Sequence, residues 1–328
     1  MPIRLLVLVL FSLWWQLAGA ALPTILVVES YHDGFQWDHD YRQTLSEALN
    51  EKYRLEFFQM DTKRLPAEKH SVMASKALAR IAELRPALVV LGDDAALRLV
   101  GPDLDQTGIP GVYLGINNNP RNYASKGFQH ITGILERPHF KRGMQFIREI
   151  IPSTRKVLVV FDDNFTSDII QRELFPSGPI IGLAGMEINL KICATYAEWQ
   201  QVVTTAPANG YQIIVSGLHQ VLRDSNGKVV DSEQVMRWTS ANTRLPLFAF
   251  WDFDVAPDMA IGGLVLSGSE QGRAAAILIH RILEEHVAPA TIFPVIASQG
   301  SFVFSRRQLA RFGINLPPAI ATVARFVD

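Results

Sequence analysis

The sequence has a single cysteine, Cys193, among its 328 residues. An internal disulfide and a cysteine-rich metal site are therefore both excluded. Cys193 ends a predicted strand at residues 187–193, where we expect a buried and unreactive thiol. Neither sign of charge is in excess, because 31 lysines and arginines face 32 aspartates and glutamates. This balance gives no indication of nucleic acid or of an anionic membrane surface as a partner.

Common catalytic motifs are also missing. The sequence contains no G-x-S-x-G, no phosphate-binding P-loop and no G-x-G-x-x-G after its first predicted strand. Residues 252–254 (DFD) match a metal-binding D-x-D pattern, but a match of that length is weak. The carboxylate pairs at residues 93–94 and 162–163 are adjacent in sequence, so their side chains need not converge on one substrate atom. We therefore expect no enzyme, no cofactor and no metal site.

The first twenty residues have the pattern of a secretory signal peptide. Arg4 precedes an apolar run at residues 5–17, and small residues follow at 18–20. This pattern predicts cleavage before Ala21. A membrane anchor is the alternative, but the uncharged stretch is shorter than the roughly 20 residues of a spanning helix. We expect an exported, periplasmic protein whose mature chain does not insert into a membrane.

The rest of the chain alternates apolar strands with helices. Strands are predicted at residues 24–29, 53–60, 88–91, 111–114, 156–161, 187–193, 211–215, 245–250 and 261–266. Helices are predicted at residues 38–51, 66–84, 138–151, 197–205, 232–242 and 270–285, and after Asp94 and Asn164. Continuous apolar strands separated by helices indicate parallel sheets covered on both faces. The predicted fold class is α/β, with two doubly wound lobes built around separate cores.

We expect several short crossings to connect the two lobes. They are predicted near residues 131–135, 248–254 and 285–293. The first lobe would then contain residues 21–133 and about 251–285. The second lobe would contain residues 134–250 and about 286–328.

Segments in the central and C-terminal parts of the chain carry a likeness to a known family. They are residues 131–133 (ITG), 272–276 (GRAAA) leading to 282–283 (IL), and 309–317 (LARFGINLP). These segments resemble type I periplasmic solute-binding proteins, and more narrowly the ABC-transporter substrate-binding family whose better-known members take up tryptophan or tyrosine. The resemblance implies two lobes that close by a hinge over a solute.

The N-terminal half resembles a different subgroup. Residues 30–37 (SYHDGFQW), 61–64 (DTKR) and 93–97 (DDAAL) resemble extracytoplasmic sensor domains of bacterial histidine kinases and diguanylate cyclases. Two membrane partners therefore remain open. One is an ABC permease that receives the solute, and the other is a membrane sensor protein for which this chain is a ligand-sensing co-receptor.

Candidate ligand-binding residues lie in the loops after the predicted strands, because ligands of parallel α/β sheets bind beyond the carboxyl ends of the strands. Carboxylates in these loops suit an ammonium group or a ring N–H, and aromatic rings suit a planar or cationic body. We therefore expect a small polar or aromatic solute that carries an amine or ring N–H. The candidates in these loops are Ser30, Tyr31, His32, Asp61, Asp93, Asp94, Asn117, Asp162, Asp163, Ser216, Trp251 and Asp252. Trp37, at the head of the first predicted helix, is a further candidate because it lies beside His32 and Phe35.

Several candidates have a purely structural alternative. Asp93 and Asp163 could cap the helices that follow them. Asp61 could pair with a neighbouring basic residue, and Trp37 could pack in the core. His32 is expected to be a hydrogen-bonded loop histidine rather than a metal ligand.

Overall fold

The computed structural model of this protein describes residues 22–297 and 300–328. The predicted signal peptide, residues 1–20, lies outside these described residues. Within them, no helix combines the length and the apolar character that crossing a membrane requires.

Strands and helices alternate through most of the described chain. The strands are β1 (Thr24–Glu29), β2 (Arg54–Gln59), β3 (Leu88–Gly92), β4 (Gly111–Ile116), β5 (Ile131–Leu135), β6 (Lys156–Asp162), β7 (Ile180–Leu183), β8 (Met186–Cys193), β9 (Ile213–Ser216), β10 (Leu247–Ala249), β11 (Gly262–Val265), β12 (Val295–Ile296), β13 (Ser301–Phe304) and β14 (Arg325–Phe326). The helices are α1 (Gln36–Leu49), α2 (Ala67–Leu84), α3 (Asp93–Thr107), α4 (Phe140–Ile150), α5 (Phe165–Leu174), α6 (Tyr196–Thr205), α7 (Ser232–Asn242), α8 (Gly268–Leu283), α9 (Arg306–Arg311) and α10 (Pro318–Val323). The predicted strands and helices are confirmed in type, and their ends differ by two residues at most.

The first sheet has the strand order β12-β5-β4-β3-β1-β2 and is parallel throughout. Successive strand residues point to opposite faces of a sheet. In β1, Ile25 and Val27 belong to the core that α1 and α8 cover, whereas Leu26 and Val28 belong to the core under α2 and α3. Helices on both faces thus bury a strand that has no polar face, as predicted.

The second sheet has the strand order β10-β9-β6-β8-β7, and only its edge strand β7 runs antiparallel. β7 and β8 form a hairpin through Ala184 and Gly185, whose φ angles are 53° and 73°. Positive φ at both central residues is the geometry of a tight hairpin turn. This antiparallel edge strand was not predicted, and the other strands of the sheet are parallel as predicted. Cys193 at the end of β8 is buried as predicted, and burial raises the pKa of its thiol to about 12.

A third, small sheet contains β11, β13 and β14, and it was not predicted. β11 pairs antiparallel with β13, which pairs parallel with β14. β11 was predicted as a strand at residues 261–266, whereas β13 and β14, of four and two residues, were not predicted. Segments as short as β13 and β14 carry too few residues for a periodic pattern, so pairing with distant strands defines them.

The first predicted crossing, residues 131–135, forms a strand. β5 pairs with β4 on one side and with β12 on the other, inside the first sheet. α8 packs along α1 on one face of the same sheet. The division of the chain into two lobes at the stated residues stays a prediction. β12 belongs to the segment that was assigned to the second lobe, but it pairs with β5 in the first sheet.

Candidate functional site

The carboxyl ends of the two main sheets meet around a small cavity of about 20 Å³. Loops after five strands of the first sheet and after β6, β9 and β10 of the second contribute its walls. This is the position expected for a ligand site in open parallel sheets. The lining residues are Tyr31, Phe35, Trp37, Lys63, Asp93, Asn117, Glu136, Thr166, Leu218, Trp251 and Phe253.

Glu136 links the two halves of the cavity by hydrogen bonds. The indole N–H of Trp251, which follows β10, donates to Glu136 Oε1 at 2.7 Å. The side-chain amide of Asn117, which follows β4, donates to Glu136 Oε2 at 3.0 Å. All three residues are buried, so these bonds fix the relative positions of loops from both sheets.

Two buried oxygen atoms on the cavity wall have no donor among the described residues. They are Asp93 Oδ2 and Asn117 Oδ1. The other oxygen of Asp93 accepts from the indole N–H of Trp37 at 3.1 Å. Asp93 has a φ of 69°, a left-handed conformation that costs about 1–3 kcal/mol outside glycine and is typical of functional sites. The two free acceptors suit a bound molecule that brings N–H donors.

Aromatic rings from both halves form the rest of the wall. Trp251 and Phe253 stack with centroids 6.2 Å apart and planes 16° apart. Phe253 reaches Phe35 at 5.9 Å, and Phe35 meets Tyr31 edge-on at 5.1 Å. The ammonium of Lys63 lies over Tyr31 and Phe35, at 4.1 Å and 3.9 Å from the ring centroids. Such a wall suits a flat or cationic group.

Burial shifts the pKa values of the ionisable side chains around the cavity. It raises the pKa of Glu136 to about 7, and hydrogen bonds from Trp251 and Asn117 offset only part of that shift. Burial also raises the pKa of Asp93 well above its ordinary value, and the neighbouring carboxylate of Asp38 adds to this. The pKa of Lys63 is lowered by burial. Burial therefore favours the protonated carboxyl groups of Asp93 and Glu136, and a bound cation would favour the ionised forms.

The raised pKa of Glu136 predicts that stability falls as pH rises. Between its ordinary value of 4.5 and the folded value of about 7, the folded protein holds a proton that the unfolded chain has released. The free energy of unfolding should decline over this range by up to about 3 kcal/mol and then level off. Glu136→Gln should reduce this slope in urea unfolding measured from acid to neutral pH.

Glu149→Gln, on an exposed position of α4, is the control and should keep the wild-type slope. If the free energy of unfolding had the same dependence on pH in wild type and in Glu136→Gln, the assignment of this proton to Glu136 would be contradicted.

The structure brings five predicted site residues together around the cavity: Tyr31, Trp37, Asp93, Asn117 and Trp251. Their contact with a solute stays a prediction. The remaining eight lie outside its lining.

Asp94 organises the loop after β4. Its carboxylate accepts the backbone N–H of Asn117 at 2.9 Å and the hydroxyl of Tyr123 at 2.8 Å. Neither Asp94 nor Asp93 caps α3, because Gly92 holds the N-cap position without a side-chain bond. The capping alternative is therefore wrong for this helix.

Asp162 and Asp163 behave differently from each other. Asp162 is buried and accepts from the hydroxyl of Ser167 at 2.6 Å, the amide of Asn164 at 2.6 Å and the backbone N–H of Val221 at 3.1 Å. Asp163 is exposed. The cap of α5 is Asn164, which accepts the backbone N–H of Ser167 at 2.9 Å, so the expected capping by Asp163 is wrong.

Ser30, Ser216 and Asp61 hold the backbone beside the cavity. Ser30 donates its buried hydroxyl to the carbonyl of Gly92 at 2.5 Å. Ser216 is buried and donates to the carbonyl of the next residue at 3.1 Å. Asp61 pairs with Arg64 through two bonds of 2.7 Å and 2.9 Å, which is the structural alternative considered for it.

His32 and Asp252 are partly buried and lie in pockets beside the cavity. His32 borders a groove, and Asp252 lines a larger cleft; Phe35 lines both of these and the cavity as well. Asp252 accepts from Arg325 at 3.2 Å, and burial raises the pKa of its carboxyl to about 6. Within the described ranges, no cluster of three histidine, cysteine, aspartate or glutamate residues has the arrangement of a metal site.

Sequence reasoning missed Glu136 and gave Lys63 no role in the site. Glu136 follows β5, but residues 131–135 were interpreted as a crossing, so the strand-end rule was not applied there. Lys63 was considered only as a partner for Asp61. Phe253, Thr166 and Leu218 carry no sequence signal of their own.

Comparison with known proteins agrees with this geometry. A family model for ABC transporter substrate binding proteins matches residues 107–327. The chain belongs to this family. Proteins of this family bind solutes, typically outside the cytoplasm, and the predicted type I periplasmic binding fold is confirmed. No curated protein sequence matches the chain.

Solved structures of substrate-binding proteins share the fold at low sequence identity. An ABC domain from Streptococcus pneumonia in complex with L-Trp is 16% identical, with a TM-score of 0.69 over 94% of this chain and 100% of that chain. CD0873 from Clostridium difficile, a substrate binding protein with adhesive properties in a ligand-free, open structure, is 12% identical, with a TM-score of 0.65 over 94% and 99%. A conserved domain protein from Vibrio cholerae is 16% identical, with a TM-score of 0.66 over 93% and 99%.

Proposed function

We propose that this substrate-binding protein encloses one small polar or aromatic solute in the cavity and delivers it to an ABC permease. One observation carries the proposal. Asp93 Oδ2 and Asn117 Oδ1 are buried acceptors without donors, and they lie between aromatic walls from both halves of the molecule. A solute with N–H donors and a flat body would satisfy both features.

An amine or a ring N–H is the group that we expect on the solute. Asp93 and Glu136 supply carboxyl groups, and Tyr31, Trp37 and Trp251 supply rings. The L-Trp bound by the pneumococcal protein has an ammonium group and a ring N–H, and it is an example of this chemistry.

Closure of the two halves would trap the solute. Residues from both sheets line the cavity, so a solute that contacts both favours the closed arrangement over an open one. The bond between Glu136 and Trp251 already joins the halves without a solute. The protein acts by binding and release, without catalysis.

We further propose that the protein is exported with cleavage before Ala21 and works in the periplasm. The signal pattern of residues 1–20 supports this proposal.

A ligand-sensing co-receptor is the second candidate function. The family match begins at residue 107, and the segments that resemble extracytoplasmic sensor domains all lie before it. The partner would then be a membrane histidine kinase or diguanylate cyclase. Genes for a permease and an ATPase beside this one favour transport, whereas a gene for a membrane signalling enzyme favours sensing.

A thermal-shift screen tests the proposed function. Amines and aromatic amines should include a stabilising solute, and a ligand at about 100 times its dissociation constant adds about 2.7 kcal/mol to the free energy of unfolding. The solute should be recovered chemically unchanged after incubation. Stabilisation by dianions alone, or a converted product formed in proportion to protein, would contradict the proposal.

Asp93→Asn connects the binding to this cavity. It should weaken binding by about 1.5–3 kcal/mol, the usual contribution of a hydrogen bond to a charged group. Asp103→Asn makes the same change at an exposed position of the same helix, α3, and should leave affinity unchanged. Equal affinity in both variants would place the solute elsewhere.

A further inference from the structure

Lys63 already places a cation inside the candidate site. Its ammonium lies 4.1 Å from the ring centroid of Tyr31 and 3.9 Å from that of Phe35. The two rings meet edge-on at 88°, so they enclose the ammonium from two directions. Both distances are within the range of about 6 Å that defines a cation–π contact. We call Tyr31 and Phe35 the aromatic cage.

The backbone that carries Lys63 is held in place. The backbone N–H and the hydroxyl of Thr62 both donate to the carbonyl of Ser30, at 2.9 Å and 2.8 Å. Asp61, on the other side of Thr62, is paired with Arg64. Movement at this position is therefore confined to the flexible side chain of Lys63.

Hydrogen bonding in the cavity is incomplete on both sides. An ammonium group carries several N–H donors, and none of the described residues accepts a hydrogen bond from Lys63 or forms an ion pair with it. At the same time, Asp93 Oδ2 and Asn117 Oδ1 lack donors in the same cavity. Lys63 supplies a positive charge to the site but donates no hydrogen bond to these two oxygens. A smaller, freely oriented cation would supply the charge and also donate to both oxygens.

The Lys63 side chain also has space available outside the cavity. It borders the small cavity and the groove beside it, where Asp224 and Asp231 provide carboxylates and solvent is accessible. The cavity that remains has a volume of about 20 Å³, far below the usual range of roughly 300–1,000 Å³ for small-molecule pockets. Withdrawal of Lys63 into the groove would enlarge it.

We propose that Lys63 is a resident cation that occupies the place of the ligand's own cationic group, and that the solute is an organic cation that displaces it from the aromatic cage. This inference rests on the proposed function. It makes Lys63 a built-in competitor, so only a solute whose cation satisfies the free acceptors as well as the rings binds well. Anions and neutral analogues of the same shape do not displace it.

Binding of two matched probes tests this role. Phenethylammonium and phenylacetate share an aromatic ring and differ in the sign of their charge. Affinity is measured at neutral pH by calorimetry and by tryptophan fluorescence, to which Trp37 and Trp251 in the cavity wall contribute. The variants compared are wild type, Lys63→Ala and Lys63→Arg. Phenethylammonium should bind Lys63→Ala about tenfold more tightly than wild type, because no cation–π contact has to be broken. Lys63→Arg keeps a resident cation and should show no gain.

Lys69→Ala removes an exposed lysine at the start of α2 and should bind both probes as wild type does. Melting temperatures without probe are compared first, because the loss of Lys63 also removes a positive charge near Asp93 and Asp38. A variant that is less stable and still binds the cation more tightly supports the proposal.

Other outcomes overturn it. Phenylacetate that binds wild type and is lost in Lys63→Ala would make Lys63 the partner of an anionic group, and the proposed function would stand. Equal affinity of phenethylammonium, or its failure to bind, in both Lys63→Ala and wild type would also contradict the resident cation. A screen in which no solute of any charge stabilises the protein would instead contradict the proposed function.

Discussion

Trp251→Ala is expected to lower the free energy of unfolding by about 3–5 kcal/mol, the cost of truncating a fully buried aromatic side chain. Trp251 is 1% exposed and lies edge-on to Phe161 and Phe250, with centroids 6.2 Å and 6.0 Å away. It also stacks on Phe253. The change removes the N–H that bonds Glu136 as well, so a buried carboxyl loses a donor. Urea unfolding at neutral pH measures the loss.

Trp251→Phe separates the two contributions. It keeps a ring among the aromatic neighbours and removes only the indole N–H and part of the volume. We expect a loss of about 1–3 kcal/mol, the cost of leaving one buried polar group without its partner. Solute affinity should fall in both variants, because the bond to Glu136 joins the two halves of the site. A loss below about 1 kcal/mol for Trp251→Ala would show that this contact does not hold the halves together.

Gly133→Ala is expected to cost at least about 3 kcal/mol, at the upper end of the range for overpacking. Gly133 lies in β5 directly opposite Tyr113 in β4. An added Cβ would lie 2.0 Å from the carbonyl oxygen of Tyr113 and 2.6 Å from its amide nitrogen. Backbone atoms in the middle of a sheet cannot move aside, so the strands would have to separate. Thermal and urea unfolding measure the effect.

Gly143→Ala is the matched control. Gly143 lies in α4, and an added Cβ there would have no neighbouring atom within 4 Å. Alanine is the better helix former by about 1 kcal/mol, so this variant should be as stable as wild type or more stable. Wild-type stability in Gly133→Ala would contradict the close approach of β4 and β5.

The strand-end rule predicted part of the site because it depends only on local order. A buried parallel strand followed by a polar or aromatic loop places that loop at the carboxyl edge of its sheet. The rule selected Tyr31, Asp93, Asn117 and Trp251, which line the cavity, and Trp37 was added because it lies beside His32 and Phe35 in the sequence. The same rule cannot tell which loop residues turn into the cavity and which hold the backbone. Those choices are made by partners far away in the sequence.

Asp93 and Asp94 show why neighbours with the same chemistry have different places. Asp94 is drawn to the backbone of Asn117, which lies in the next loop of the sheet. Asp93 takes a left-handed backbone conformation, and its carboxylate turns towards Trp37 and the cavity. No local pattern distinguishes the two residues, because the deciding contacts are formed only when β3 and β4 pair.

The sequence by itself determined the fold class, since apolar strands without a polar face can be buried only between two layers of helices. It also determined the family, through segments spread along the chain. Only the tertiary structure decided that Glu136 joins the two halves and that Lys63 lies in the aromatic cage. The short strands β12, β13 and β14 were likewise decided by their pairing partners. The physical reason is the same in each case. Burial and hydrogen bonding between residues that are distant in sequence set these positions, so the local periodicity of the sequence does not predict them.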